Sequence, residues 1–557
     1  MFRSAAKNFL AILCFGVCVL AAARLPAQIS LVGGPTRMSF QGTDGDITTD
    51  SSNPAGIYSP STGEHLVFWS GGLASGELEI FGQRVGSGGS LTGANFKISS
   101  QGPANNASFN ARDPAVSYNS LADEFLVVWE GDRTVGENEI FGQRIALDGS
   151  LLGNNFAISS QGSPGDALFD AFDAAVAYNS VANEYLIVWE GDKTNNEFEI
   201  FGQRLSGAGA LLGDNFLVSH QGLDGDASFD AVNPAVSYSP SDNQYLVAWQ
   251  GDRVAGEVEI YAQTVGSNGV LSGSAFQVSA QGPDGDLLYD AENAAISYNP
   301  IANEFMLTWQ GDRTPSEKEI FAQRASASGA LLGPNVRVSF QGVDGDINID
   351  ALDPAVLFNE NRGEFLVTWS GDVGGGEFEI HGQRVSTSGA LLDANEKISN
   401  QGPVGDTLYR AQDPTISVNS ATAEYVVLWK GDLQSSAGIA GELEVFGQRV
   451  NVPAALAAAD FNHDGVVDGD DFSAWSAHFG IAQGATQVQG DADGDGIVGG
   501  RDLLLWQRQY AGAPNSAATA AVPEPQAFAL GVLLASTLAL RRRALGMHFH
   551  KNESPGS

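Results

Sequence analysis

The sequence predicts an all-β chain: a seven-bladed β-propeller closed by its N-terminal strand, with a small α-helical domain and an apolar C-terminal helix behind it. Three observations predict this. Tryptophan recurs at Trp69, Trp129, Trp189, Trp249, Trp309, Trp369 and Trp429, each step being 60 residues. A Gln-Gly pair keeps the same step at Gln41, Gln101, Gln161, Gln221, Gln281, Gln341 and Gln401. An aspartate-rich loop begins at Asp460 and returns 31 residues later at Asp491.

The 557 residues carry 66 acidic and 28 basic side chains, a formal net charge of −38. Such a surface repels phosphate backbones, which argues against nucleic acid as a partner. It suits hard divalent cations. An apolar fraction of 43% is ordinary for a globular chain, so the acidity does not signal disorder.

Residues 1–28 read as a secretory signal peptide. Arg3 and Lys7 precede the apolar run Phe9 to Ala23, and Leu25-Pro26-Ala27 supplies a cleavage site. Both cysteines, Cys14 and Cys18, lie in that run. The processed chain would then have no disulfide, leaving core burial and bound calcium to hold it together.

Residues 29–452 form the repeat array. In the second repeat four strands are expected, at Pro114 to Asn119, Glu124 to Glu130, Glu139 to Ala146 and Asn155 to Ser159. The second, Phe125-Leu126-Val127-Val128-Trp129, is apolar on both faces, as a strand between two packed sheets must be. Gly131-Asp132 and Asp148-Gly149 are expected as turns after the second and third strands. Four short strands per repeat make a propeller blade. The seventh repeat stops at Val450 after its third strand, and Ile29 to Phe40 aligns with Gly329 to Phe340. The N-terminal segment can therefore lend the last blade its fourth strand, removing an exposed edge. The array resembles a bacterial extracellular propeller-like repeat with the pattern PAVxYNxxxNEYLVVWxGD…EIxGQRV.

Two loop types carry the acidic charge. One reads Asp-Gly-Asp-x-x-x-Asp, as in Asp44, Asp46 and Asp50 or Asp344, Asp346 and Asp350. The other carries Asp132, Asp192, Asp252, Asp312, Asp372 and Asp432. Both should emerge on one face. They read first as Asx-type turns with solvated carboxylates, and alternatively as calcium sites of low affinity. The third strand repeats Glu-x-Glu and ends in Gln-Arg, for example Glu137, Glu139, Gln143 and Arg144. A motif copied into every blade argues for a structural task, pairing Glu with Arg, and against one catalytic constellation. Three departures stand out: Thr264 in place of Arg, His381 at an aromatic position, and the insertion Ser435 to Ile439.

Residues 456–511 change character. Asp460, Asn462 and Asp464 hold positions one, three and five of a calcium loop, with Gly465 at the turn. Val466 offers a carbonyl, Asp468 stands at nine and Asp471 closes the loop. The second copy has Asp491, Asp493, Asp495, Ile497 and Asp502, with Gly499 lacking a side chain at nine. Phe472, Trp475 and Phe479 match Leu503, Trp506 and Tyr510 as apolar stripes on the following helices. This paired EF-hand-type arrangement resembles a type I dockerin, which implies Ca²⁺ as cofactor and a cohesin-like partner. The positions usually used for cohesin recognition hold Gly469-Asp470 and Gly500-Arg501, which are not hydroxyl-rich.

Residues 512–521 are a small-residue linker. Val522-Pro523-Glu524-Pro525, an apolar run to Leu540 and Arg541-Arg542-Arg543 follow, and 544–557 form a tail. Residues 522–543 resemble a PEP-CTERM sorting signal, which implies processing by an exosortase and membrane contact only through this helix. The expectation is a secreted cell-surface or matrix protein whose propeller is not an enzyme and binds a polysaccharide or surface protein. The alternatives are a secreted carbohydrate-active enzyme, glycoside hydrolase-like and carrying a dockerin, and a purely structural surface-layer component.

Overall fold

The computed structural model describes residues 28–510 except 164, 195–196, 224, 255, 284, 404, 434–440, 453–458, 462–466 and 493–495, and the side chain of Arg253. The export segment, linker, sorting signal, tail and the 435–439 insertion lie outside the described residues. Among the described residues no helix is long and apolar enough to cross a membrane. The chain divides into two units, Met1–Ala455 and Leu456–Ser557.

The first unit is seven four-stranded antiparallel sheets, the blades of a propeller. In blade 2 the strands are Ala111–Asn119, Glu124–Thr134, Glu137–Ala146 and Leu151–Ala157. The apolar second strand serves two interfaces. Phe125, Val127 and Trp129 pack with Leu66, Phe68 and Ile80 of blade 1, while Leu126 and Val128 pack with Tyr185, Ile187 and Trp189 of blade 3. All seven blade tryptophans are fully buried. Each stacks on a third-strand ring, as Trp129 does on Phe141 at 6.4 Å.

Two expected details are corrected. The fourth strand begins at Leu151, not Asn155. Gly149, at φ +87°, closes a tight turn with its N–H on Ala146 O at 2.9 Å, so pairing resumes at once opposite Ile145. Gly131-Asp132 is not a turn. The second strand runs through it to Thr134, and Gly136, at φ +78°, makes the turn. Gly131 is instead a close-approach glycine: an added Cβ would lie 2.6 Å from Gln101 Nε2, which donates to Asp132 O at 3.1 Å. The Gln-Gly and Gly-Asp series are thus halves of one device, a loop glutamine seated on a strand glycine in every blade.

Ring closure occurs as expected. Ser30–Arg37 forms the outer strand of blade 7, with Leu31 opposite Val450 and Arg37 opposite Phe446. Met38 N donates to Val445 O at 2.7 Å.

The second unit holds two loop–helix pairs, α1 at Gly469–His478 and α2 at Gly500–Gln509. They brace each other reciprocally: Trp475 Nε1 donates to Gly499 O at 3.0 Å and Trp506 Nε1 to Asp468 O at 2.9 Å. The expected stripes meet through Phe472 and Trp506, ring centroids 5.0 Å apart. Phe479 caps the end of α1 rather than extending it and is exposed, as is Tyr510.

Candidate functional site

Every innermost strand carries a bulge near its start, between Arg112 and Ala115 in blade 2. The residue at the bulge takes a left-handed conformation. These are Asn53, Asp113, Asp173, Asn233, Asn293, Asp353 and Asp413, with φ from 49° to 53°. Asn and Asp are the side chains that tolerate this region, which explains the restriction to two residue types. Together with the Pro or Ala that follows each, they ring an axial pocket of about 370 Å³.

In six of the seven ring residues the backbone N–H donates to the residue after the tryptophan of the preceding blade. Asp113 N donates to Ser70 Oγ at 3.0 Å, Asp173 N to Glu130 Oε2 at 3.3 Å and Asn233 N to Glu190 Oε2 at 2.8 Å. Asn293 N, Asp353 N and Asp413 N donate likewise to Gln250, Gln310 and Ser370. Here the seven-fold pattern breaks: the residues at that position are Ser70, Glu130, Glu190, Gln250, Gln310, Ser370 and, without an acceptor, Lys430.

The break concentrates acid on one side. Asp113, Glu130 and Asp173 each bring a carboxylate oxygen within 4.8 Å of the others, the one such group of carboxylates among the described residues. Burial, then Asp113 and Asp173, push the Glu130 carboxyl well up. Burial and Asp173 raise Asp113, and burial raises Asp173. Glu190, in the next blade, is pushed up to about 7 by burial and by Asp173. Asn53 Nδ2 hydrogen-bonds Asp113, and Arg112 Nη1 stands 3.5 Å from Glu130. On the far side Lys430 pairs with Asp413. Carboxylates this close cannot all ionise, so the cluster keeps a proton near neutral pH beside an ionised partner.

The ring was not among the expected site residues. Its one signal was the Asn/Asp that stands before Pro or Ala at the head of each PAVxYN segment.

The expected loops divide. Asp46 is half-buried and accepts from Thr48 N at 3.0 Å, an Asx turn, and Asp226, Asp286 and Asp346 do the same. The last Asp of the motif and the Asp132 series are instead drawn inward. Asp132 N donates to Asn110 O at 3.0 Å, and Ala111 pairs with Gly131. Both loop types and the axial ring therefore share one end of the disc. Arg144 pairs not with Glu137 or Glu139 but with Glu124 at 2.7 Å, as in five other blades. Blade 4 lacks both partners, having Gln244 and Thr264. His381 keeps the aromatic task, stacked on Trp369 at 6.1 Å.

In the second unit the described calcium-loop residues make two equivalent frames. Asp471 accepts from Phe461 N at 2.7 Å and Asp468 N at 2.8 Å. Asp502 accepts from Ala492 N at 2.8 Å and Gly499 N at 2.7 Å. Asp460, Asp471, Asp491 and Asp502 are buried, Asp468 caps α1, and Ile497 is exposed. Asn462, Asp464, Val466, Asp493 and Asp495 lie outside the described residues.

No family model matches the chain, and no curated protein matches it in sequence. Solved structures do resemble it. An α-L-arabinanase from Penicillium chrysogenum, complexed with arabinobiose, aligns at 12% identity and TM-score 0.40, covering 77% of this chain and 100% of that one. An α-L-arabinofuranosidase from Fusarium graminearum aligns at 12% and 0.40, covering 75% and 98%. The β-propeller domain of the Trilobed protease from Pyrococcus furiosus aligns at 8% and 0.38, covering 72% and 95%. These are likenesses of fold. The expectation of a non-catalytic propeller, argued from seven-fold repetition, is corrected at the axis, where among the described residues one unrepeated carboxylate cluster stands. The argument from seven-fold repetition failed because it weighed the motifs that repeat and overlooked the one position that does not.

Proposed function

We propose that the protein is a secreted carbohydrate-active enzyme that cleaves glycosidic bonds at the axial pocket. The observation that carries this is the trio Asp113, Glu130 and Asp173, at one blade junction of seven. Glycosidic cleavage needs a carboxylic acid to protonate the leaving oxygen and a carboxylate to assist at the sugar carbon. Asp113 and Asp173 line the pocket and would face the sugar. Glu130, buried behind them and raised furthest, would hold the proton, while Arg112 and the Asp173 N–H fix its side chain and favour its ionised form once the proton has left. The polar ring of Asn and Asp would bind sugar hydroxyls.

The test is reducing-sugar release from a polysaccharide panel by the parent and by Asp113→Asn, Glu130→Gln and Asp173→Asn. Each substitution should lower turnover by about 10²–10⁴-fold with the blade tryptophan signal unchanged. Equal turnover in all four proteins would refute the assignment.

The second unit supports a further reading, a dockerin-like module ordered by two calcium ions. Its support is the pair of equivalent frames around Asp471 and Asp502 and the reciprocal tryptophan braces. Calcium would supply the charge that lets the buried Asp460, Asp471, Asp491 and Asp502 stand together. A cohesin-like partner, exosortase processing and surface localisation belong to the same proposal.

A further inference from the structure

We propose that the junction of blades 7 and 1 binds a small neutral aromatic molecule, in a slot that other blades fill with a side chain of their own. The fourth strand of blades 1 to 4 carries Phe96, Phe156, Phe216 and Phe276 at one register. In the first three, the ring lies between two glycines, one on the third strand of its own blade and one in the hairpin of the next. A Cβ on Gly82 would lie 2.8 Å from Phe96, and one on Gly149 would lie 3.1 Å from the same ring. In blade 7 the closing strand Ser30–Arg37 has Thr36 at that register, opposite Gly447. Gly89 is the facing hairpin glycine. A Cβ on Gly89 would meet the stem of Arg449, and one on Gly447 would meet Met38 and Leu428. Both glycines are retained, and the phenylalanine between them is missing.

The space left is a cavity of about 220 Å³, lined by Thr36, Met38, Val85, Val426, Gly447 and Arg449. In blade 5, where Val336 replaces phenylalanine, the corresponding cavity is about 60 Å³. An apolar cavity of about 150 Å³ already takes up benzene, so the 7–1 slot has room for one ring and the blade 5 cavity does not. The mouth of the slot is stripped of side chains on both sides. Gly34 stands where blades 1 to 6 have Ala, Asn, Asp, Ser or Pro, and Gly88 stands where the other hairpins have Asp, Ala, Asn or Ser. Gly33, Gly34 and Gly88 are exposed, whereas Met38, Val85 and Val426 are buried.

The lining selects a neutral ligand. Its one charge, Arg449, is already held: Nε donates to Glu424 Oε1 at 2.5 Å and Nη2 to Glu424 Oε2 at 2.8 Å. Nη1 donates to Gly88 O at 3.2 Å. An anion buried here would find no uncommitted counter-charge. Met38 stands where the other six blades have Ile or Val, and an unbranched thioether adapts to an aromatic ring and makes favourable contact with it. A bound ring would press blade 7 onto blade 1 as Phe96 presses blade 1 onto blade 2. Occupancy would therefore reinforce closure of the propeller at the junction where the chain ends meet.

The experiment uses the full chain, with phenol as the probe and benzoate as a second arm. Methionine-methyl NMR locates binding, since Met38 lines this cavity and Met306 the smaller one in blade 5. Phenol should shift the Met38 methyl saturably, leave Met306 in place and raise the unfolding midpoint. Benzoate should do none of these. Thr36→Phe repeats the arrangement of blades 1 to 4. It should raise the midpoint in the absence of phenol and abolish the phenol response. No shift at Met38, a response that survives in Thr36→Phe, or benzoate acting as phenol does would overturn the proposal. Should Thr36→Phe misfold, Thr36→Leu fills part of the slot and should weaken phenol binding by about tenfold or more. Unchanged binding in that variant would also overturn the proposal.

Discussion

Single residues in this propeller are constrained by backbone conformation as much as by packing. The turn after each innermost strand has a left-handed residue at the same register: Gly63, Asp123, Asn183, Asn243, Asn303, Gly363 and Ala423. Alanine is the misfit, with φ 60° and no side-chain oxygen to offset the strain. Ala423→Gly should therefore stabilise the chain by about 1 kcal/mol in denaturant unfolding. Gly131 is the opposite case. Its Cβ would collide with Gln101, so Gly131→Ala should cost about 1–3 kcal/mol by the same measurement. His381 titrates against the fold. Burial, and then Lys397, lower its pKa from 6.5 to about 4, so the folded state binds fewer protons than the unfolded chain. Its contribution is intact above pH 6.5 and is lost as pH falls toward 4. His381→Phe should thus flatten the loss of stability over that interval, by up to about 3 kcal/mol at its acid end, read from paired unfolding curves.

Strands and helices derive their stability from partners outside themselves. The second strand of each blade was legible because its apolar run has no polar face, and the structure divides that run between two neighbouring blades. Strand ends were less legible. The fourth strand was expected from Asn155, yet the turn at Gly149 forces pairing to resume at Leu151. The N-terminal strand is the element whose loss has the largest consequence. Removing residues 29–40 would expose the Leu443–Asn451 edge and take Met38 from the core it shares with Val67 and Leu428. The truncated chain should self-associate in size-exclusion chromatography and lose its cooperative tryptophan transition. In the second unit, Trp475 and Trp506 each anchor to the opposite loop, so calcium titration should shift their fluorescence together. Asp471→Asn should abolish the response of both tryptophans, not that of Trp475 alone.

The whole molecule places its charge by end and by junction. The 60-residue period, the split last blade and the paired acidic loops are local or additive features, and a chain read in order displays them. Blade number, ring closure and the unit boundary near residue 455 follow from them. The axial site does not. Asp113 and Asp173 lie 60 residues apart, and each looks like an ordinary bulge residue in its own repeat. Only closure of the ring carries these strand starts to a common axis, where burial and mutual repulsion turn Asp113, Glu130 and Asp173 into a proton-holding cluster. The same holds between blades, where Asp170 accepts from Asn138 N because neighbouring sheets face each other. Repetition is written along the chain, whereas a site made of its exceptions exists only once distant copies are brought within a few ångströms.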